Sequence, residues 1–389
     1  MYVDRQLKKN ILEMFKKFPV ISITGPRQSG KTTFIRNTFP DFEYINLERL
    51  DILSLIKEDP IGFLSSRPHP VIFDEAQKYP ELFSFIQVIS DQRRTAGQYI
   101  LLGSHSFLLN EYINQTLAGR ISINKLLPFD VTEISNFSEI NVNELIWKGG
   151  YPRIYDFEIP PEDFYPSYIQ TYIERDIRTL KNIGDLHTFA TFTGLCAGRI
   201  GQLLNLSSIA NDAGVSVNTA KSWISILEAS YIITLLRPYY KNVNKRLIKS
   251  PKLYFVDTGL ACSLLRINTP EMINTHYLKG SLFENLIISD LIKQIEHRGR
   301  NVKLYFWKES NGVEIDCIIE KDADSLMSLE IKAGQSHNKD YVQNLKAFRK
   351  LGLNEQSFLI YQGDQCGKIN DAELISWSYY RKFIDRIFN

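Results

Sequence analysis

The sequence predicts an α/β chain: a parallel sheet flanked by helices, then a short helix–turn–helix with a β-hairpin, then a second α/β module. Three observations carry this reading. From Val20 onward, short apolar runs alternate with helical stretches, the pattern of buried parallel strands. A glycine-rich loop joins the first such run to a helix. After Gly280 the order helix, three strands, helix appears once more. At 389 residues the chain is long enough for about two to three domains. A content of 44% hydrophobic and 23% charged residues excludes wholesale disorder.

The loop is Gly25-Pro26-Arg27-Gln28-Ser29-Gly30-Lys31-Thr32, with the G-x-x-x-x-G-K-[ST] spacing of a P-loop. Val20–Ile23 reads as a buried strand before it, and Thr33–Asn37 begins an amphipathic helix after it. Glycines let the backbone curl with its N–H groups inward around phosphate oxygens, and the helix N-terminus adds partial positive charge there. Gly25 to Thr33 are the expected ATP-binding residues. Within them Lys31 is placed to reach the β- and γ-phosphates, and Thr32 to ligate Mg²⁺.

Such a loop calls for an acid at the end of a second buried strand. Val71-Ile72-Phe73-Asp74-Glu75 supplies it, with Asp74 for the Mg²⁺ shell and Glu75 to polarise the attacking water. Another strand, Phe42–Asn46, lies between these two in the chain, and Tyr99–Ser104 follows them. An extra strand between the P-loop strand and the acidic strand predicts the additional-strand branch of P-loop NTPases. Ser104 is placed to sense the γ-phosphate or the water. Arg120 is a candidate to supply charge to the transition state, in cis or from a neighbouring subunit, with a surface salt bridge as the alternative. The expected catalytic set is thus Lys31, Asp74, Glu75, Ser104 and Arg120.

The stretches GPRQSGKTT, VIFDEAQ, LLGS and LAGR resemble the bacterial and archaeal AAA+ ATPases that carry a C-terminal domain of unknown function. The resemblance runs through Gly149-Gly150-Tyr151-Pro152 and Tyr172–Ile177 to Glu284 and Leu329–Lys332, over nearly the whole chain. It implies an ATP-binding cytoplasmic protein. His105, where a Gln or small polar residue is expected, departs from the pattern.

Leu206–Ala213 reads as a short helix, Gly214 as a turn and Ser216 as the N-cap of a second helix, Val217–Ala229. Strands Tyr231–Leu236 and Lys252–Val256 follow, separated by a polar loop, Lys241–Ser250, that reads as a wing. Over Arg199–Lys252 there are eight basic residues against two acidic, although the chain's net charge is only +2. A basic loop beside a helix–turn–helix suits phosphate contacts along DNA, with Asn218, Thr219, Lys221 and Ser222 facing a groove. Packing or protein contact is the competing use of such a winged helix.

The module after Gly280 comprises a helix to about Ile295, strands Val302–Trp307, Val313–Ile319 and Ser328–Lys332, and a helix Tyr341–Lys350. This order fits the core of PD-(D/E)xK, restriction-endonuclease-like domains. Asp316, Glu330 and Lys332 fit their D…E-x-K pattern, and alternation puts Glu330 and Lys332 on one face of a strand. With Glu284 they form a candidate nuclease site for one or two Mg²⁺ ions. Aromatic residues near the C-terminus, Trp377, Tyr379, Tyr380 and Phe383, are expected to pack core.

The expected organisation is an ATPase core over 1–140, a helical lid over 141–198, a winged helix over 199–265 and a nuclease-like domain over 266–389. The expected function is ATP hydrolysis coupled to action on duplex or branched DNA, as a motor, by a homo-oligomer expected to form a ring. The alternative is a nucleotide-gated switch that binds a protein partner in signalling or defence, with an inactive nuclease-like domain. The longest charge-free run, Thr95–Asn110, is 16 residues and holds Gln, Ser, His and Asn, so no membrane span is expected. The N-terminus carries charge at once, and a cytoplasmic location is expected. The four cysteines form no C-x-x-C pair, so neither a disulfide framework nor a zinc site is expected.

Overall fold

A computed structural model describes residues 2–67, 70–104, 116–139, 141–176, 185–239, 249–309, 312–322, 325–336, 339–349 and 355–388. His105, Ile177, Lys350 and residues 241–248 of the expected wing lie outside the described residues. The chain forms two compact units: one of residues 1–129, 229–231 and 296–299, the other of 130–228, 232–295 and 300–389. The first break therefore falls at Phe129, and the segments expected as lid, winged helix and nuclease-like domain pack as one unit.

The first unit is built on five strands: β1 (Val20–Thr24), β2 (Glu43–Asn46), β3 (Val71–Asp74), β4 (Tyr99–Gly103) and β5 (Ile121–Lys125). Their order is β2-β3-β4-β1-β5, and every pairing is parallel. The strand inserted between the P-loop strand β1 and the acidic strand β3 is thus β4. The Phe42–Asn46 segment forms an edge strand, which corrects the reading of chain order as sheet order.

Period-two alternation sorts the strand side chains between two cores. Val20, Val71, Phe73, Tyr99 and Leu101 pack on one face with Leu82, Phe83 and Ile86 of the helix Leu82–Arg93. Ile21, Ile23, Ile72, Ile100 and Leu102 pack on the other with Leu7 and Ile11 of the helix Leu7–Phe15 and with Phe34 and Ile35 of the helix Lys31–Thr38. Helices covering both faces explain why these strands read as nearly unbroken apolar runs.

The second unit opens with helices over Val131–Lys148 and an aromatic cluster of Tyr151, Phe164, Tyr165, Tyr168 and Tyr172. The helices Leu206–Asp212 and Val217–Ala229 follow, joined through Gly214 at φ 68°. Ser216 Oγ accepts the Thr219 N–H at 3.0 Å and caps the second helix. Its inner side carries the buried Ala220, Trp223, Ile224, Ile226 and Leu227. β6 (Ile233–Pro238) then pairs antiparallel with β7 (Lys252–Phe255).

After the helix Lys279–His297, the strands β8 (Lys303–Lys308), β9 (Glu314–Asp322) and β10 (Ser325–Lys332) form an antiparallel meander. β11 (Glu355–Tyr361) joins β10 in parallel, and β12 (Gly367–Ile369) and β13 (Ala372–Ser376) complete that edge. β6 also pairs in parallel with β8, Arg237 opposite Tyr305, giving one eight-stranded sheet ordered β12-β13-β11-β10-β9-β8-β6-β7. This shared sheet is the physical reason that no break separates the two expected domains. In the closing helix Tyr380–Phe388, Tyr380 and Phe383 are buried as expected, whereas Tyr379 is 47% exposed.

Candidate functional site

The phosphate loop follows directly from the end of β1. Gln28 and Gly30 have φ of 62° and 90°, and a Cβ on Gly25 would lie 2.1 Å from the Leu126 carbonyl oxygen. Only glycine fits that contact. Lys31 is buried, and its Nζ donates to the carbonyls of Gly25 at 3.0 Å and Pro26 at 2.8 Å. Burial lowers its pKa from 10.5 to about 8, with Glu75 and Asp74 opposing the fall. Ser29 is fully buried, and its Oγ has no hydrogen-bond partner among the described residues. The Arg5 guanidinium holds the back of the loop, donating to Ser29 O at 2.9 Å and Leu127 O at 2.6 Å, above the Phe129 ring at 4.7 Å.

At the mouth of β3, Asp74 Oδ2 accepts from Thr32 Oγ1 and from Tyr44 OH, both at 2.6 Å, and Oδ1 accepts the Glu75 N–H at 2.9 Å. Glu75 sits at φ 53°, ψ 45°, a left-handed conformation uncommon for a residue other than glycine. Its carboxylate accepts from Ser104 Oγ at 3.1 Å and from Gln77 Nε2. The structure thus gathers Thr32, Asp74, Glu75 and Ser104 into one hydrogen-bonded chain beside Lys31. A hydroxyl and a carboxylate oxygen, joined at the loop, are a hard donor set suited to Mg²⁺. The inward loop and the unpartnered, buried Ser29 hydroxyl suit a phosphate group.

Arg120 is placed elsewhere. It precedes β5, and Val20 pairs with Ile121, so Arg120 lies at the N-terminal end of the parallel sheet, whereas the P-loop leaves the C-terminal end. There it makes a bidentate pair with Asp91, at 2.6 and 2.9 Å. Action in cis on its own P-loop is ruled out by this placement. The expected site set did not include Arg5, Tyr44 or Gln77; Arg5 and Tyr44 sit in no motif, whereas Gln77 closes the VIFDEAQ stretch. Only Gln77, two residues after Glu75, had a local signal.

The second expected cluster also assembles, with additions. Lys332 Nζ donates to Glu330 Oε2 at 2.6 Å and Asp316 Oδ2 at 3.2 Å, and Asp316 Oδ2 also accepts the Ile331 N–H at 2.8 Å. Glu284 Oε1 accepts from Tyr254 OH at 2.5 Å and from Lys252 Nζ at 3.0 Å. Lys252 Nζ further lies 2.5 Å from Glu314 Oε1 and 3.9 Å from Asp316 Oδ1, and Lys308 pairs with the other Glu314 oxygen. Burial and the charge of Asp316 push the Glu330 carboxyl well above its ordinary range. One or two Mg²⁺ ions do not fit among these oxygens as they stand, because an ammonium already occupies their focus. The expected set of Glu284, Asp316, Glu330 and Lys332 is thus brought together, with Lys252 as a further cation among its carboxylates. Lys252, Tyr254 and Glu314 were missed, although alternation along β7 and β9 puts Lys252 with Tyr254 and Glu314 with Asp316.

The basic stretch is also redistributed. Lys252 is only 3% exposed, and Arg199 is paired with Asp212. Lys221, Arg237 and Lys249 are exposed, as are Asn218 and Ser225 on the second helix of the helix–turn–helix. Thr219 and Ser222 are half-buried.

Three family models match the chain. Residues 17–135 match one described as an AAA domain, residues 139–271 match a domain of unknown function, DUF8612, and residues 279–380 match another, DUF4143. An uncharacterised protein of Mycobacterium tuberculosis is 28% identical over 308 residues, covering 78% of this chain and 68% of its own. An uncharacterised protein of Methanocaldococcus jannaschii is 24% identical over 364 residues, covering 84% of this chain and 77% of its own. Among solved structures, a Walker-type ATPase of Pyrococcus abyssi aligns over 68% of this chain and 96% of its own, at 14% identity and a TM-score of 0.46. The AAA-domain match and the parallel P-loop sheet support a nucleotide-binding ATPase core. Among the described residues no helix is long and apolar enough to cross a membrane.

Proposed function

We propose that the chain binds Mg²⁺–ATP at Gly25–Thr33 and Asp74 and hydrolyses it. The observation that carries this is the hydrogen-bonded chain Thr32–Asp74 and Ser104–Glu75 at one end of the sheet. When bound, Mg²⁺–ATP supplies the phosphoanhydride bond to be cleaved and the cation that neutralises charge at it. Thr32 and Asp74 would hold the cation, and Lys31 would turn from two carbonyls to the phosphates. Glu75, fixed by Ser104 and Gln77, accepts a hydrogen bond from water and orients it. The test is phosphate release together with binding of a fluorescent ATP analogue. Glu75→Gln is expected to bind the analogue and to lose turnover by about 10²-fold or more. Turnover equal to the parent's would refute the assignment.

Hydrolysis is coupled, in this reading, to DNA. Leu206–Phe255 acts as a winged helix, with Asn218, Lys221 and Ser225 toward a groove and Arg237 and Lys249 toward phosphates. The sheet and helices of residues 279–380 form a nuclease-like domain beside it. Arg120 serves the site of a neighbouring copy, so the active form is a homo-oligomer. ATP turnover with and without duplex and junction DNA, at physiological salt, tests the coupling. No stimulation and no salt-dependent binding would sink it. The competing reading, a nucleotide-gated switch for a protein partner with an inactive C-terminal domain, is favoured by one observation, the ammonium inside the C-terminal carboxylate cluster.

A further inference from the structure

The carboxylates Glu284, Glu314 and Asp316 converge on one point, and Lys252 Nζ is at that point, with oxygens at 3.0, 2.5 and 3.9 Å. A divalent ion bound by the same oxygens needs separations of about 2.0–2.6 Å and would overlap the ammonium. Lys252 is 3% exposed; its backbone pairs with Leu236 on one side and Leu203 on the other, and its ammonium lies 5.7 Å from the Phe306 ring centroid. Glu330, the fourth acid of the cluster, is 1% exposed; its Oε2 accepts from Lys332 and its Oε1 has no hydrogen-bond partner among the described residues. Lys252 comes from the strand next to the helix–turn–helix, and its carboxylate partners come from the helix Lys279–His297 and from β9.

We propose that Lys252 is the resident cation of the C-terminal carboxylate cluster, so that the cluster works as a metal-independent pin joining β7 to the rest of the eight-stranded sheet. On the nuclease-like reading proposed above, the position a metal would take is filled by the chain itself. The lysine does two jobs: it neutralises carboxylates that would otherwise repel one another, and it excludes the divalent ion that phosphodiester cleavage would require. The inference is independent of the ATPase assignment, since it concerns other residues and needs no nucleotide.

The test uses the full chain without nucleotide, carrying Asp74→Asn and Glu75→Gln so that the P-loop site contributes no carboxylate. Manganese binding is followed by electron paramagnetic resonance, and thermal midpoints are measured with chelator and with Mn²⁺. With Lys252 present, no Mn²⁺ binding that depends on Asp316 or Glu330 is expected, and the midpoint does not respond to Mn²⁺. Lys252→Met is expected to lower the midpoint in chelator, to bind Mn²⁺ and to regain the midpoint with it. Asp316→Asn in that background should weaken the binding by about 10–100-fold. Lys252→Arg, which keeps the charge, should stay insensitive to Mn²⁺. Mn²⁺ bound by the Lys252-containing protein and lost with Asp316→Asn or Glu330→Gln would overturn the proposal, and that measurement stands even if Lys252→Met does not fold. A folded Lys252→Met protein that binds no Mn²⁺ would overturn it equally.

Discussion

Replacing Lys31 by methionine should stabilise the nucleotide-free protein while abolishing its turnover. The lysine is buried, and its pKa is held at about 8 against 10.5 for a free lysine. That difference corresponds to roughly 3 kcal/mol of unfavourable charge burial at neutral pH. Two hydrogen bonds to the Gly25 and Pro26 carbonyls are lost with the ammonium, each worth about 1 kcal/mol. The net gain is then about 1–2 kcal/mol, or a rise of about 2–8 °C in the midpoint for a unit of this size. The sign of the pH dependence follows from the direction of the shift. Because the folded-state value is the lower one, the unfolded chain binds the extra proton between about pH 8 and 10.5, and parental stability rises across that window. The advantage of Lys31→Met is therefore complete near pH 7 and shrinks above pH 8. Thermal and urea unfolding at pH 7 and in the alkaline window measure it. An equal or lower midpoint at pH 7, with no narrowing at higher pH, would refute the argument that the loop holds an unfavourably buried cation for phosphate to relieve.

Three further outcomes are expected. Ser104→Ala removes the 3.1 Å bond to Glu75 and should lower kcat about 10-fold with little change in KM, read by phosphate release; an unchanged kcat would remove Ser104 from the site. Gly149→Ala would place a Cβ 2.2 Å from Asp257 Oδ1 and 2.3 Å from Tyr165 OH at a φ of 66°, so a loss of about 3 kcal/mol or more is expected in urea unfolding. Asp290 is buried, and burial together with the charge of Asp130 raises its pKa from 3.8 to about 7, so parental stability should fall as pH rises from about 4 to 7. Asp290→Asn should flatten that slope, with calorimetric midpoints across this range as the check.

The P-loop and the acid at the end of β3 were legible because each is a local pattern: a fixed spacing, or an apolar run ended by a carboxylate. Sheet order was not legible in the same way. Phe42–Asn46 and Tyr99–Gly103 are equally strand-like, and only tertiary pairing sends one to the edge and the other between β1 and β3. The charge surplus misled for a related reason. A count along Arg199–Lys252 treats Lys252 as surface charge, yet its partners Glu284, Glu314 and Asp316 lie more than thirty residues further on. The parallel pairing of Arg237 with Tyr305 is likewise invisible to any local window, and it carries one sheet across the boundary expected after residue 265. Glu330 and Lys332 were legible as a pair because strand alternation is local; the Lys252 ammonium beside Glu284 and Asp316 was not.

The first unit takes its last residues from far along the chain, and this sets an order in time. Tyr231 OH lies 2.7 Å from Thr24 Oγ1, one residue before the P-loop, while Glu296 pairs with Lys125 and His297 accepts the Leu127 N–H. At a synthesis rate of about 5–20 residues per second, Tyr231 follows Phe129 by roughly 5–20 s, and Glu296 follows by a further few seconds or more. During that interval the nascent parallel sheet has all five strands but lacks these three ties. The contacts that Tyr231, Glu296 and His297 make with Thr24, Lys125 and Leu127 therefore form only after the helix–turn–helix has been synthesised.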